Sequence, residues 1–138
     1  MNQNNKRSQI CEMHFLPISN AQVENIPGSN SIKVHGEWID FHITSGEFKE
    51  KQDIPGGIVD QELKVVITDT NEKNAASICD MIIHEGLVLI EMTNGNRKVI
   101  GTDQFPVTLS PEYSGSPIKL TLLIKRDSPE SAKILKSF

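Results

Sequence analysis

The 138-residue chain is 37% apolar and 23% charged, which is typical of a single folded domain and argues against a disordered chain. Its apolar runs are much shorter than the roughly 20 residues that span a bilayer, and residues 1–9 lack the apolar stretch of an export signal, so we expect a cytoplasmic protein without a membrane segment. The net charge is −4 and the basic residues are scattered as pairs, which disfavours nucleic-acid binding because phosphate recognition needs a basic patch.

Alternating apolar and polar residues dominate the first part of the chain and predict β-strands. Residues 1–9 are predicted to form a flexible tail, and residues 10–138 a single β-rich domain. A first strand is predicted over residues 10–16, and strand periodicity places Cys11 and Met13 on the same face.

In the next part of the chain the alternating apolar residues move from even-numbered to odd-numbered positions. Ile32 and Val34 share one face, and a second alternating set that includes Ile39 and Phe41 follows at odd-numbered positions. Gly36 lies at the change, which favours a bulge or a tight turn there, because glycine tolerates positive φ.

Residues 44–61 combine charged residues with glycine and proline, and we predict a long connection without regular structure. Four apolar side chains in this segment are the candidate protein-interaction residues: Phe48, Ile54, Ile58 and Val59. In one interpretation the loop folds back so that these side chains pack on the domain's own sheet. In the other, the loop is an arm whose apolar side chains contact the next subunit of an assembly. The sequence leaves both interpretations open.

A strand and then a short helix are predicted after this connection. Leu63, Val65 and Ile67 alternate with polar residues, which predicts a strand with one buried face. Residues 74–83 place apolar side chains at helical spacing after a polar segment that can cap a helix. Because the same stretch ends in three consecutive apolar residues, a strand is the alternative there.

The strongest local pattern is Asn-Gly at residues 94–95 between two apolar runs, residues 87–93 and 96–101. Asn-Gly favours the two-residue type I′ turn of a β-hairpin, because both central positions of that turn need positive φ. A two-residue loop places Glu91 opposite Lys98, so that an acid and a base pair across the strands. We therefore predict an antiparallel hairpin in this register.

Two more strands are predicted beyond the hairpin, over residues 106–109 and 118–124. Residues 130–138 suit either one helical turn or a segment lying along the sheet. Together the patterns predict a mainly β, single-domain fold, a β-sandwich or small barrel of about seven or eight strands with one short helix.

Residues that could carry chemistry do not form a convincing site. Cys11 and His14 are three apart on a predicted strand, so their side chains point to opposite faces, and no paired metal-ligand spacing occurs. Glu37 and Asp40 flank Trp38 as a conceivable acid and base, but we favour Trp38 as a core or interface anchor between solvated carboxylates. Motifs of serine nucleophiles and of phosphate loops are absent. We therefore predict no metal, no cofactor and no enzymatic activity.

One stretch of the chain is similar to a known class of protein. Residues 86–101 comprise a strand, an Asn-Gly turn and a second strand closed by a glycine, and residues 106–109 follow as a short strand led by proline. A glycine-containing loop at residues 114–115 and an alternating strand at residues 118–124 come next. This succession resembles small uncharacterised proteins from prophage structural gene clusters, which are associated with phage tail or tail-like assembly.

The resemblance covers about residues 62–130 and implies a structural or assembly component of a phage-tail-like particle. Such a component would act through contacts with copies of itself and with other structural proteins, and a ring of copies would need head-to-tail contacts that close. The competing hypothesis is a monomeric cytoplasmic β-domain that binds a small ligand or a single protein partner.

Overall fold

The fold of the chain is seen in a computed structural model. It describes residues 8–26, 31–52, 57–68, 72–102, 105–114, 119–128 and 132–137. Within these ranges the chain is mainly β with one short helix, as predicted. Eleven strands in the described part of the chain form one open mixed sheet, so the strands outnumber the predicted count of about seven or eight.

The elements follow one another in this order. The strands are β1 Ser8–Pro17, β2 Gln22–Asn25, β3 Ser31–His35, β4 Ile39–Asp40, β5 Ser45–Gln52, β6 Val59–Ile67, β7 Gly86–Met92, β8 Arg97–Ile100, β9 Ser110–Ser114, β10 Lys119–Ser128 and β11 Lys133–Ser137. Helix α1 spans Glu72–Ile82, and a 3₁₀ turn, Ile18–Asn20, follows β1. The order across the sheet is β2-β3-β11-β8-β7-β1-β5-β6-β10-β9, with β4 paired to β1 beside this path.

β1 joins two halves of the sheet. The first half contains β5, β6, β10 and β9, and the second half contains β7, β8, β11, β3 and β2. Its first residues, Ser8 and Gln9, pair with β5 and are not part of a tail, whereas the strand from Ile10 onward pairs with β7. The remainder of the predicted tail, residues 1–7, lies outside the described residues. At this junction the register shifts so that Cys11 is the extra residue of a β-bulge, a feature that bends a strand as it passes between sheets.

The bulge changes which side chains of β1 enter the core. Ile10 and Met13 are both buried, while Cys11 between them is exposed. The prediction that Cys11 and Met13 share a face is therefore wrong. Strict alternation fails here because one residue of β1 has no partner on β7.

Two hydrophobic clusters lie on opposite faces of β7. The larger cluster contains Val88 and Ile90 together with side chains of β1, β5, β6, β8 and β10, and α1 packs Ile82 against it. The smaller cluster contains Leu87 and Leu89 together with side chains of β1, β3 and β8. The two halves of the sheet therefore share the larger core, and the second half has a core of its own on its other side.

Residues 44–61 mostly form a β-hairpin, so the prediction of a long irregular connection is wrong. β5 pairs with β6 from Ser45 opposite Val66 to Gln52 opposite Val59. Phe48 is the one apolar residue of β5, which is why the sequence pattern does not indicate a strand. Pairing on both sides, with β1 and β6, overrides the weak local preference.

Three other segments resolve alternatives or correct predictions. Residues 74–83 are helical, and the alternative of a strand is wrong. Residues 133–137 lie in the sheet as β11, so the alternative of a helical turn is wrong. Residues 106–109 contribute only an isolated bridge between Val107 and Gly86 instead of the predicted strand.

The β7–β8 hairpin forms as predicted, but its loop has three residues, 93–95, instead of two. The Met92 N–H donates to the Asn96 carbonyl (2.8 Å), and the Gly95 N–H donates to the Met92 carbonyl (2.9 Å). Gly95 has a φ of +90°. This is the geometry of a type I turn followed by a bulge glycine, the usual three-residue hairpin loop.

The three-residue loop shifts the hairpin register by one. Glu91 lies opposite Arg97, and the predicted pairing with Lys98 is wrong. The prediction failed because Arg97 and Lys98 are both basic, so either register pairs Glu91 with a cation.

Candidate functional site

The structure separates the four predicted interaction residues. Phe48 and Val59 are only 5% and 3% exposed, so neither side chain is available to another subunit. Ile58 is 59% exposed and does lie on the surface. Ile54 falls outside the described residues. The hypothesis of a protruding apolar arm is therefore wrong for Phe48 and Val59.

The outer face of β5, β6 and β10, which points away from the larger core, carries charges in cross-strand rows. In the central row Glu62 lies between Lys49 and Lys125. The Glu62 carboxylate is 3.3 Å from the Lys49 ammonium and 3.9 Å from the Lys125 ammonium. Exposed pairs of this kind contribute only about 0.2–1 kcal/mol each, so their main effect is to keep the face charged and solvated.

The next row of the outer face contains a pair of like charges. Asp60 and Asp127 lie directly opposite each other on β6 and β10. A side-chain hydrogen bond with Asp127, and then its charge, raise the pKa of Asp60, while the charges of Lys51 and Lys125 oppose the rise. Like charges directly opposite in a sheet are destabilising. Asp60 therefore takes up a proton at a higher pH than an ordinary aspartate does.

The inner face of the same three strands carries a polar row at the end of the larger core. Glu50, Gln61 and Arg126 lie side by side on β5, β6 and β10. The Gln61 amide donates to Glu50 (2.8 Å), and the Arg126 Nε donates to the Gln61 carbonyl oxygen (2.9 Å). Gln61 is 1% exposed, so both ends of its amide need these partners.

Two backbone segments are tied to this polar row. The Arg126 Nη1 donates to the carbonyls of Phe105 (2.9 Å) and Pro106 (3.1 Å). The backbone N–H of Ala132 donates to the Glu50 carboxylate (2.7 Å). Burial lowers the pKa of Arg126. The polar row thus holds two segments against the first half of the sheet: residues 105–106, which precede β9, and Ala132, which follows β10.

Histidines and cysteines remain dispersed. Cys11 is exposed, and its thiol donates to the carbonyl of Glu91 (3.4 Å). His42 lies 3.6 Å from the carboxylate of Asp40 on the surface. Among the residues that the structure describes, no three His, Cys, Asp or Glu side chains converge as metal ligands do. The absence of a metal site stays a prediction.

Trp38 packs against the smaller hydrophobic cluster, as expected of an anchor. Its side chain is half-buried, and the adjacent Glu37 and Asp40 are exposed. The indole Nε1 is buried and lacks a hydrogen-bond partner within the described ranges.

The two strands at the ends of the path through the sheet are β2 and β9, each with one neighbouring strand among the described residues; the two-residue strand β4, beside the path, also has one, β1. In β2, Gln22 and Glu24 are exposed. In β9, residues 110–112 are exposed and include Pro111. Proline cannot donate a backbone hydrogen bond, and within sheets it favours edges, where it limits strand addition. The edge of β2 is therefore better suited to pairing with another chain than the edge of β9.

Comparisons with protein-family models, with curated proteins and with solved structures found no match to this chain. In the part of the chain that the structure covers, no helix has the length and apolar character needed to cross a membrane.

Sequence reasoning missed the polar row and the edge strand β2. Gln61 falls in the predicted connection of residues 44–61 and Arg126 lies beyond the predicted strand of residues 118–124, and only the strand pairing brings them together. One signal was available, because Gln61 continues the alternation of Leu63 and Val65 towards the N-terminus and so belongs on the core face. For β2, Gln22–Asn25 contains one apolar residue, and no pattern indicates a strand.

Proposed function

We propose that the protein is a structural subunit of a phage-tail-like assembly, acting through contacts with copies of itself and with other structural proteins. The resemblance over about residues 62–130 suggests this role. The observation that carries the proposal is the open sheet, whose end strand β2 has one edge that no other described strand pairs with and has exposed side chains. Unpaired edges support contacts between subunits through main-chain pairing.

The fold also suits a subunit of a repeating assembly. The described residues form one continuous sheet in which β7 is buried on both faces. The polar row of Glu50, Gln61 and Arg126 fastens flanking segments to the sheet. A subunit of this kind presents fixed edges to its neighbours, as a repeating assembly requires.

A second candidate function is the binding of a small ligand by a monomer. A surface cleft of about 510 Å³ lies beside Asp60, Gln61 and Arg126. Its size falls within the roughly 300–1,000 Å³ of small-molecule sites, but its lining is polar, whereas such sites are mostly apolar. The cleft is therefore the specific feature that the second candidate would use.

Light scattering and native mass spectrometry of the full chain over a range of concentrations separate the two candidates. We expect oligomers of defined size. Gln22→Lys places a charge on the edge of β2 and should weaken them, because lysine on an edge strand opposes pairing. Ser45→Lys, an exposed position on the interior strand β5, is the matched control and should leave them unchanged. A monomer at every concentration would refute the assembly role and favour the ligand-binding candidate.

A further inference from the structure

β11 occupies an interior place in the sheet although it is the last of the described strands. It lies between β3 and β8, parallel to the former and antiparallel to the latter. Among the described residues, β3 pairs only with β2 and β11, so the backbone pairing that joins the β2–β3 pair to the remaining sheet runs through β11. Without β11, the facing edges of β3 and β8 would both be unpaired, and unpaired edges recruit strands.

β11 has little buried apolar surface and short backbone pairing for an interior strand. Ile134 is 48% exposed, and Leu135 is only partly buried against the smaller cluster. In contrast, Leu120 and Leu122 of β10 are fully buried. Pairing with β8 is confined to Lys133 and Ile134, and the pairing with β3 shifts register after Leu135. A segment with little buried apolar surface opens at a low free-energy cost.

The place that β11 occupies is well defined on its other sides. Ile32 of β3 and Val99 of β8 are fully buried members of the smaller cluster. When β11 leaves, β3 still pairs with β2 and β8 with β7, and the side-chain packing of the smaller cluster, to which Ile32 and Val99 both belong, still holds the two pairs together. The place is therefore a slot shaped for the sequence of β11. Every copy of the chain carries that sequence, so the slot fits the strand of a second copy as well as its own.

The residue that precedes β11, Ala132, is buried and hydrogen-bonded to the rest of its subunit. Ala132 is 2% exposed, and its N–H donates to Glu50 of the polar row (2.7 Å). β11 begins at the next residue, Lys133. Ala132 can therefore stay with its own subunit while residues 133–137 reach outward. Residues 133–137 are extended over about 17 Å, so they can fill the slot of an adjoining subunit when that slot opens directly beside Ala132.

We propose that in the assembled state β11 of one copy fills the slot between β3 and β8 of the next copy. This inference rests on the proposed function, because it names a contact by which copies join. The exchanged strand makes the same pairings as in the closed monomer, so exchange is driven by concentration, and pairing at the edge of β2 adds a second contact in the assembly. Exchange from each copy to the next is a head-to-tail contact, which forms rings when it closes.

Disulfide trapping between separately produced chains tests the exchange. Ile134 lies opposite Lys98, so cysteines at these positions can bond across β11 and β8. In a background of Cys11→Ser and Cys79→Ala, one chain carries Ile134→Cys and the other Lys98→Cys. The two are mixed, concentrated until oligomers form and oxidised. We expect a covalent heterodimer of doubled mass on a non-reducing gel.

The matched control uses Leu123→Cys and Lys64→Cys, which face each other on the interior strands β10 and β6. Mixed in the same way, these chains should give no covalent heterodimer, because neither strand is exchanged. A third chain with both Ile134→Cys and Lys98→Cys is oxidised as a monomer. The intrachain bond locks β11 in its own slot, and we expect the locked chain to lose its oligomers and to regain them on reduction.

The outcomes separate this inference from the proposed function. If oligomers form but no heterodimer is trapped, and the locked chain still assembles, strand exchange is refuted while the assembly role stands. If the parent chain is monomeric at every concentration, the assembly role fails and the inference fails with it. Trapping together with loss of assembly in the locked chain supports both.

Discussion

β6 and β7 both contribute to the larger core, but their surroundings differ. Along β6, residues of odd number from Val59 to Ile67 are buried and the residues between them face outward. Along β7, six of the seven residues are buried, and Glu91 is half-buried. β6 has water on one side, whereas β7 separates two hydrophobic clusters.

The comparison shows when a sequence pattern specifies register. A strand with one solvent-exposed face must keep its charged residues on that face, so a shift by one residue would bury Asp60 and Lys64. A strand that is buried on both faces has no such constraint, because apolar residues are acceptable on both sides. This is the physical reason why the pattern of β6 was interpreted correctly and the register of β7 was wrong by one residue.

The largest effect should come from a charge on the second face of β7. Leu89→Asp would bury a carboxylate in the smaller cluster, and we expect it to destabilise the fold by more than about 4 kcal/mol. Lys64→Asp on the outer face of β6 is the control and should leave the chain folded. Urea denaturation followed by circular dichroism measures both. Normal stability of Leu89→Asp would show that β7 has only one buried face.

The next effect distinguishes core from surface among the predicted interaction residues. Phe48→Ala should cost about 3–5 kcal/mol, because it leaves a cavity in the larger cluster. Ile58→Ala should change the free energy of unfolding by less than about 0.5 kcal/mol, since its side chain is mostly exposed. The same denaturation experiment applies. Equal costs at the two positions would contradict the placement of β5 in the sheet.

A smaller effect should follow from breaking the inner polar row. Arg126→Ala removes the donor to Gln61, and leaving the buried amide oxygen unpaired should cost about 1–3 kcal/mol. Lys125→Ala, one residue earlier and on the outer face, should cost less than about 1 kcal/mol. Hydrogen exchange at the backbone amide of Ala132 provides a second readout, because only the first change loosens the row. Similar effects of both substitutions would argue against the row.

The smallest effect concerns the hairpin register and depends on pH. A hydrogen bond from Arg97 lowers the pKa of Glu91, so the Glu91 carboxylate stabilises the fold above its ordinary pKa of 4.5, and this contribution is lost as the pH falls through the lower folded pKa. Arg97→Ala should therefore raise the pKa of Glu91 and cost about 0.2–1 kcal/mol at neutral pH. The cost should vanish in acid.

Lys98→Ala is the control for that experiment, because the predicted register would give it the same role. Titration of the Glu91 carboxyl group by NMR decides between them. A rise in the Glu91 pKa with Lys98→Ala, and none with Arg97→Ala, would restore the two-residue loop.

The failures of sequence reasoning share one physical cause. β5 contains a single apolar residue and β2 also contains one, so neither has a local pattern strong enough to indicate a strand. Both strands exist because neighbouring strands offer unpaired backbone groups, and satisfying those groups outweighs local preference. The bulge at Cys11 has the same origin, since it accommodates the passage of β1 from β5 to β7.

The candidate site was less predictable than the fold. Phe48 and Val59 are apolar residues in a charged segment, and apolarity alone does not say whether a side chain contacts its own core or a neighbour. Ile58, next to Val59, points the other way because strand side chains alternate. The slot for β11 involves residues of β3 and β8 that are far apart in the chain, and no local signal relates them.

By itself, the sequence determined the mainly β class, the existence of the Asn-Gly hairpin and the buried faces of β6 and β10. These features depend on the spacing of apolar residues within a few positions, which a chain carries before it folds. Only the tertiary structure decided the hairpin register, the burial of Phe48, the polar row and the place of β11 between β3 and β8. Those features depend on which distant backbone groups and side chains pair, and that choice is made by the free energy of the whole sheet.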